Sequence, residues 1–267
     1  MNDKTISILG SGWLGLPLAA RFVALGYRVR ASSRSAERLA AIEAIPAEAF
    51  RVEVAETMVM PAAFLESDTL VVNMTGKDVD AFRALVGDIE RSTVRQVIFV
   101  SSTSVYANEN RSVSEDDGLE IPDHPLRQIE TLFIENPAFE TTIVRFGGLI
   151  GYSRHPGRFF RGDKTVRYPD TGVNLIHRDD CIGILERIVE NGVWGETFNC
   201  CADTHPSKRE FYTQAAALLG ESPPRFDDSG EQPYKLIRND RVKQILGYRF
   251  RHPDLMALRF DEAGEGA

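Results

Sequence analysis

Three glycines near the amino terminus, in Gly10-Ser-Gly12-Trp-Leu-Gly15, follow one apolar run and precede another. This spacing allows a tight turn at Gly10, a close approach of a ligand at Gly12, and close packing of a helix on a strand at Gly15. The first amides of such a helix have no partner within the helix and can bind an anion. The segment, including Trp13 and Leu14, therefore predicts a site for the pyrophosphate of a dinucleotide.

A second signal follows about twenty residues later, in Ser32-Ser33-Arg34, with Arg38 one helical turn beyond. An acidic residue at this point would bind the ribose hydroxyls of NAD. Serine and arginine can instead bind a 2′-phosphate through charge-assisted hydrogen bonds, each contributing roughly 1.5–3 kcal/mol. We therefore predict that Ser33, Arg34 and Arg38 bind NADP(H), with NAD(H) as the second choice. The alternative is that both arginines are solvated residues at the start of a helix.

The elements that must position these residues alternate along the chain. The predicted strands cover residues 5–9, 28–32, 50–54, 69–74, 97–101 and 141–146. The predicted helices cover residues 13–25, 36–44, 78–90, 127–136, 179–191, 207–220 and 239–246. Such alternation is typical of a parallel sheet covered by helices, and it predicts an α/β fold with a doubly wound Rossmann sheet. Residues 108–125 are predicted to form a loop and residues 261–267 a frayed tail.

The patterning becomes looser after residue 151. We predict a dinucleotide-binding domain over residues 1–151, with residues 173–191 packed back onto it, and a smaller substrate-binding lobe over residues 152–267. A basic stretch opens this lobe: Arg154, Arg158, Arg161, Lys164 and Arg167. Guanidinium groups suit a phosphate or carboxylate, so Arg161 is a candidate ligand of an anionic substrate. An equally supported alternative is that this basic stretch is a solvated loop with no ligand.

The formal net charge of −8 over 267 residues argues against a nucleic acid or an anionic membrane as partner. The sequence has no signal peptide and no run of about 20 apolar residues, which predicts a cytoplasmic protein. We expect a small-molecule substrate and a monomer or homodimer. The cysteines are Cys181, Cys200 and Cys201. An odd count with a vicinal pair suits a reducing compartment, and since adjacent thiols rarely share one ion we predict buried strand residues and no metal site.

Four segments of the chain carry a family pattern. They are Ile98-Phe-Val-Ser101-Ser102-Thr-Ser-Val-Tyr106, Ile143-Val-Arg-Phe146-Gly-Gly, Asn174-Leu-Ile-His177-Arg-Asp-Asp180 and Phe198-Asn199-Cys-Cys. Together they resemble the extended short-chain dehydrogenases/reductases, a group that includes the NAD-dependent epimerases and dehydratases of nucleotide sugars. The resemblance extends over nearly the whole chain, to about residue 250.

The resemblance implies several site residues. A serine or threonine at the position of Ser102 hydrogen-bonds the reacting oxygen in this family, and Tyr106 lies near the same site. The alternatives are that Ser102 caps its own loop at the end of the strand and that Tyr106 is a packing residue that lines the substrate site. The implied coenzyme contacts are Met74, Thr75, Ser101, Glu130 and Phe146. The resemblance also implies that His177 contacts substrate.

The chain departs from the family at its catalytic pair. The alignment places Leu126 at the family's proton-transferring tyrosine and Glu130 at its lysine, and no Tyr-x-x-x-Lys occurs in the chain. Leucine cannot transfer a proton, although Glu130 can accept a hydrogen bond from the nicotinamide ribose. General acid–base help contributes about 10²- to 10⁴-fold to a rate, so the usual chemistry is compromised. The chain therefore resembles atypical members that lack the Tyr-x-x-x-Lys pair.

Four other side chains could supply the missing proton: Tyr106, His124, Tyr152 and His177. Two functions stay open at this point. One is an NADP-dependent reductase or epimerase/dehydratase relative that acts on a small polar metabolite, with Ser102 as hydrogen-bond donor. The other is a non-catalytic NADP(H)-binding redox sensor or regulatory protein.

Overall fold

The computed structural model describes residues 4–53, 60–74 and 76–260. Its contacts divide the chain into two compact units. The first unit takes in residues 1–105, 120–145 and 182–198, and the second takes in residues 106–119, 146–181 and 199–267. The sequence predicts a single boundary at residue 151. The observed division differs from it, because each unit is made of three separate segments of the chain.

Thirteen strands and eight helices are present in the described part of the chain. The strands are β1 Thr5–Leu9, β2 Arg28–Ser33, β3 Glu48–Arg51, β4 Thr69–Val72, β5 Gln96–Ser102, β6 Arg111–Val113, β7 Glu140–Phe146, β8 Gly148–Ile150, β9 Thr165–Arg167, β10 Leu175–His177, β11 Thr197–Cys200, β12 Arg225–Asp227 and β13 Lys235–Ile237. The helices are α1 Gly15–Ala24, α2 Ala36–Glu43, α3 Ala62–Leu65, α4 Val79–Glu90, α5 Pro125–Ile134, α6 Arg178–Asn191, α7 Lys208–Ala217 and α8 Asp240–Leu246.

The central sheet has seven strands in the order β11-β7-β5-β4-β1-β2-β3. β1 pairs in parallel with β2 on one side and with β4 on the other, so that Ile6 lies beside both Val29 and Thr69. The predicted Rossmann fold is confirmed. The direction of winding reverses at β1, and in sheets of this kind ligands bind in the crevice beyond the carboxyl ends of the strands at that point. Gly10, which follows β1, therefore lies where a dinucleotide would bind.

Aromatic side chains hold the helices of the first unit against the sheet. Phe99 of β5 stacks on Phe133 of α5 with ring centroids 4.9 Å apart, and Phe82 of α4 meets Phe99 edge-on at 5.8 Å. All three side chains are buried, and each contributes roughly 1.5–3 kcal/mol through burial. This packing fixes the carboxyl end of β5, where Ser101 and Ser102 lie.

The second unit contains three pairs of parallel three-residue strands, β8 with β10, β9 with β12 and β6 with β13. The prediction of a loop over residues 108–125 is wrong at Arg111–Val113, which form β6. Three residues are too few to show a hydrophobic period, and the partner strand lies far along the chain. No local sequence pattern therefore predicts this strand.

The features that the sequence predicts at the start of α7 and at the end of α8 are present. The capping box of Ser207 and Glu210 is present at the start of α7, and Gly247 ends α8 in the left-handed conformation with φ 61°. The predicted strand over residues 50–54 corresponds to β3 at Glu48–Arg51, and its last predicted residue lies outside the described residues, as does the predicted tail at 261–267. Within the described ranges, no helix has the length and apolar character needed to cross a bilayer.

Candidate cofactor site

The glycine turn after β1 is held against the residue that follows β4. Gly10 has φ +101°, and a Cβ there would lie 2.3 Å from the carbonyl oxygen of Asn73. A Cβ at Gly15 would lie 2.1 Å from the carbonyl oxygen of Gly10. The side-chain amide of Asn73 donates to that same oxygen at 3.0 Å. The fold itself therefore requires glycine at positions 10 and 15.

Gly12 has a different environment. A Cβ at this position would meet no atom within 4 Å, so the glycine borders open space. The neighbouring Ser11 hydroxyl is buried and has no hydrogen-bond partner among the described residues. Helix α1 begins beyond Leu14, which provides no side-chain cap for the first amides. A buried unpaired hydroxyl beside an uncapped helix start fits a pyrophosphate, whose oxygens would accept from these groups.

The carboxyl end of β2 is tied to the glycine turn. The Ser32 hydroxyl accepts from the backbone N–H of Gly10 at 3.1 Å, and its carbonyl oxygen accepts from the N–H of Ser11 at 2.8 Å. Ser33 accepts from the backbone N–H of Ser35, which caps α2. The pyrophosphate loop and the predicted adenosine end of the site therefore form one connected structure.

An open cavity of about 490 Å³ lies at this end of β2. It is lined by Ser33, Arg34, Ser35, Arg51, Val52 and Glu53. Ser33 and Arg51 are register partners in the parallel pair of β2 and β3. Arg34 is 76% exposed, and its Nη1 lies 3.5 Å from a carboxylate oxygen of Glu53. The cavity thus holds two guanidinium groups and one carboxylate.

Arg51 and Glu53 are not among the predicted ligands of the adenosine ribose, which lie at the end of β2 and at the start of the helix that follows it. The parallel pairing of β2 with β3 is the signal that could have found them, because the carboxyl ends of neighbouring parallel strands share one edge of the sheet. The predicted ligand Arg38 is exposed in the first turn of α2 and does not line this cavity.

Glu130 and Arg145 form a buried ion pair next to β5. The Arg145 guanidinium donates to Glu130 through Nη2 at 2.6 Å and through Nε at 3.0 Å. Ser101 donates its hydroxyl to Glu130 at 2.6 Å, while Glu120 accepts from Arg145 at 2.6 Å. The side chain of Glu130 is completely buried. The Glu130 carboxylate therefore binds the Ser101 hydroxyl and two guanidinium groups of its own chain, with Nη1 of Arg127 as a further contact at 3.3 Å.

Ser102 keeps a hydroxyl that can act on a ligand. Its oxygen accepts from the backbone N–H of Ser104 at 3.1 Å, and the described residues offer its own O–H no acceptor. Leu126 packs half-buried against the apolar core of the first unit. His124 accepts from the N–H of Leu126 through Nδ1 and so caps α5. Of the three described residues Ser102, Leu126 and His124, Ser102 offers a hydroxyl at the predicted position, and its oxygen also caps the turn to Ser104.

The remaining predicted coenzyme and catalytic residues are Met74, Thr75, Tyr106 and Phe146. Met74 is half-buried after β4, and Thr75 lies outside the described residues. Tyr106 in the second unit is 1% exposed and donates its hydroxyl to Asn199 Oδ1 at 2.9 Å. Phe146 is buried at the end of β7. These contacts do not test the predicted coenzyme and catalytic roles, which remain predictions.

The two predicted substrate ligands lie in the second unit. Arg161 is exposed, and its guanidinium pairs with the carboxylate of Glu221, which neutralises its charge. His177 ends β10 and is buried beside Tyr152, Asp179 and His252. Burial and the neighbouring His252 lower the pKa of His177 to about 4, so its imidazole is neutral at physiological pH. Arg161 and His177 remain candidates for substrate binding.

The family model described as NAD(P)H-binding matches residues 10–180 of the chain, beginning at the first glycine of the turn. The chain belongs to the NAD(P)H-binding family. It is 31% identical to Protein YeeZ of Escherichia coli (strain K12) over 277 aligned residues, which cover 96% of this chain and 98% of YeeZ. The glycine turn, Ser32 and the Ser101–Glu130 contact described above all fall within the matched region.

Two solved structures illustrate the fold of this NAD(P)H-binding chain. A functionally unknown conserved protein from Silicibacter pomeroyi DSS is 22% identical with a TM-score of 0.80, and the match covers 95% of each chain. A short-chain dehydrogenase/reductase superfamily protein from Agrobacterium tumefaciens, with bound NAD, is 19% identical with a TM-score of 0.74 over 92% of each chain. The chain is thus similar in fold to a short-chain dehydrogenase/reductase superfamily protein.

Proposed function

We propose that this protein binds NADP(H) in preference to NAD(H) and uses it to oxidise or reduce a small polar metabolite. The cavity at the end of β2 carries the coenzyme preference. Its lining includes Ser33, Arg34 and Arg51, a hydroxyl with two guanidinium groups, which suits the 2′-phosphate of NADP(H). NAD(H), without that phosphate, would leave both guanidinium groups facing solvent and Glu53.

The coenzyme proposal is tested by titrating NADPH and NADH into the purified protein by calorimetry. We expect NADPH to bind about ten- to hundredfold more tightly, the range that one charge-assisted contact contributes. Arg34→Ala should reduce this ratio mainly by weakening NADPH. Arg28→Ala is the matched control, because Arg28 is also exposed on β2 but lies at the amino end of the strand. Equal affinities in the unmutated protein would refute the preference.

The proposed chemistry rests on Ser102. Bound at the glycine turn, the coenzyme would supply or accept a hydride, and the Ser102 hydroxyl would donate a hydrogen bond to the carbonyl oxygen of the substrate. The hydroxyl is in a suitable state for this, since it accepts from Ser104 and keeps its proton. Leu126 cannot take part in proton transfer, so the substrate or a bound water would have to exchange the proton.

A panel of aldehydes, ketones and sugar nucleotides, assayed by NADPH oxidation at 340 nm, tests for catalysis. Ser102→Ala should lower kcat by at least tenfold for any substrate found, and the same assay on Ser104→Ala provides a control, because only the backbone of Ser104 contacts Ser102. An unchanged kcat in Ser102→Ala would remove this serine from the mechanism.

The Glu130–Arg145 pair favours a second function, that of a non-catalytic redox sensor. The family's lysine lies at this position and contacts the coenzyme, whereas here the carboxylate is engaged within the chain. A sensor would bind NADP⁺ and NADPH with different consequences for a partner. Hydrogen exchange measured with each form distinguishes the two functions: a sensor requires a difference that extends beyond the coenzyme site, and identical exchange would exclude it.

A further inference from the structure

The strongest unassigned cluster in the described residues lies in the second unit, where two imidazoles and a carboxylate converge. His177 Nδ1 lies 3.5 Å from Asp179 Oδ2, and His252 Nε2 lies 3.4 Å from the same oxygen. One ligand atom from each of the three residues can be chosen so that all lie within 4.8 Å of one another. We propose that His177, Asp179 and His252 form a binding site for one divalent transition-metal ion of the zinc class.

The spacing of the ligand atoms suits such an ion. Bonds of about 2.0–2.1 Å at tetrahedral angles place neighbouring ligand atoms about 3.3–3.4 Å apart. The two distances to Asp179 Oδ2 are within about 0.2 Å of this value. Two imidazole nitrogens and one carboxylate oxygen are ligands that zinc-class ions accept, and a set of three leaves a fourth position for water. The spacing of Asp179 Oδ2 from the two imidazole nitrogens therefore matches that of a tetrahedral site.

His177 presents an unprotonated nitrogen to the cluster. Its Nδ1 atom accepts from the backbone N–H of Asp179 at 3.3 Å and lies 3.5 Å from Oδ2 of the same residue. An ion bound between Nδ1 and Oδ2 would replace the contact of Nδ1 with that N–H.

The carboxylate of Asp179 is oriented by a neighbour. Tyr152 donates its hydroxyl to Asp179 Oδ1 at 2.8 Å, leaving Oδ2 for the two histidines. Tyr152 has φ +51°, a conformation that non-glycine residues seldom adopt. A hydrogen bond to a ligand carboxylate is typical of the outer shell of a metal site.

The backbone around the two histidines is also fixed. Asp180 accepts from the N–H groups of Arg251 and His252 at 2.6 and 3.1 Å, which holds His252 in place. Gly151 makes room for the ring of His177, because a Cβ there would lie 2.4 Å from Nε2. His252 is 31% exposed and Asp179 27% exposed, so an ion can reach the site from solvent.

The pattern of cysteines in the sequence predicts no metal site. All three thiols are buried, and burial raises the pKa of each, which disfavours the thiolate that would bind an ion. The three proposed ligands gave no sequence signal, because His252 lies 73 residues after Asp179. Only the folded second unit brings them together.

The test uses full-length protein freed of any histidine tag and treated with chelator. Co²⁺ is titrated while visible d–d absorption is recorded, and Zn²⁺ is then added as competitor. We expect one equivalent of Co²⁺ to bind with absorption typical of four or five nitrogen and oxygen ligands, and Zn²⁺ to displace it. His252→Ala should weaken Co²⁺ binding at least tenfold, and this half-exposed position should tolerate the change.

His124→Ala is the matched control, because His124 lies in the first unit and should leave Co²⁺ affinity unchanged. Asp179→Asn is the second variant, with circular dichroism as the check that it folds. Three outcomes overturn the proposal: no Co²⁺ binding by the unmutated protein, equal affinity in His252→Ala, or thiolate-to-metal charge transfer in the near ultraviolet. None of these measurements depends on coenzyme binding, so they stand apart from the proposed function.

Discussion

The Arg145 guanidinium and the Glu130 carboxylate form two parallel hydrogen bonds, at 2.6 and 3.0 Å, in the interior of the first unit. Both side chains are 2% exposed or less. Bidentate pairs of this kind are among the strongest ion pairs, and removing one partner leaves the other charge buried. Glu130 and Arg145 are thereby part of the folded core.

We expect Glu130→Gln to destabilise the protein by about 3 kcal/mol, the lower end of the range for breaking a buried pair, because Glu120 still accepts from Arg145. Glu130→Lys introduces the lysine that the resemblance to short-chain dehydrogenases/reductases implies at this position. It should lower the free energy of unfolding further, since it brings a cation against Arg145. Urea denaturation measures both. Glu135→Gln, at the exposed end of α5, is the control and should change stability by less than about 0.5 kcal/mol. Unchanged stability in Glu130→Gln would contradict the role given to this pair.

Alanine substitutions at two glycines of the turn should affect folding and coenzyme binding separately. Gly12→Ala should fold with an unchanged Tm, because nothing lies within 4 Å of the new Cβ, yet lose at least about tenfold in NADPH affinity as the methyl group meets the pyrophosphate. Gly15→Ala should lose about 1–3 kcal/mol of stability through its clash with Gly10. Thermal unfolding and calorimetry measure the two effects.

Gly87→Ala in α4 is the control for these substitutions. Its Cβ would meet only the flexible Arg91 side chain, at 3.5 Å, and alanine favours a helix over glycine by roughly 0.5–1 kcal/mol. It should therefore raise the Tm and leave NADPH affinity unchanged. A Gly12→Ala variant that bound NADPH normally would place the pyrophosphate elsewhere.

Substitutions of Arg51 and Glu53 should shift the preference for NADPH over NADH in opposite directions. Arg51→Ala should weaken NADPH binding about three- to tenfold and leave NADH unaffected, because it removes a cation beside Ser33. Glu53→Gln should tighten NADPH binding, since it removes the carboxylate 3.5 Å from Arg34. Calorimetric titration of both variants checks this. Changes of the same sign, or equal effects on NADH, would show that the cavity does not bind the 2′-phosphate.

Glu115 should make stability depend on pH. Burial raises the pKa of its carboxyl, although it accepts from the backbone N–H of Asn199 at 2.7 Å. A raised pKa in the folded state means that ionisation costs stability as the pH rises through that pKa. Glu115→Gln should therefore be neutral at pH 4 and stabilising at pH 8, by less than about 1 kcal/mol because water screens this half-buried group.

Urea denaturation at the two pH values measures the difference. Glu109→Gln, exposed in the same segment, should show no such dependence on pH. A stabilisation by Glu115→Gln that is equal at pH 4 and pH 8 would contradict the account, because its origin would then not be the ionisation of the carboxyl.

Features encoded by neighbouring residues were accessible from the sequence. The glycine turn, the strands β1, β4, β5 and β7, and the capped helices each depend on a local period or on residues within one turn of a helix end. The doubly wound sheet followed from their alternation. The serine-rich end of β5 also gave Ser102 its predicted place.

Features created by contacts across long stretches of chain were decided by the tertiary structure. Arg51 joins Ser33 through strand pairing, and β6 pairs with the distant β13. Glu130 of α5 is buried because Arg145 of β7 neutralises it. The cluster of His177, Asp179 and His252 has the same origin. A sequence pattern records the periodicity of one element, whereas the charge and burial around a side chain depend on which distant elements pack against it.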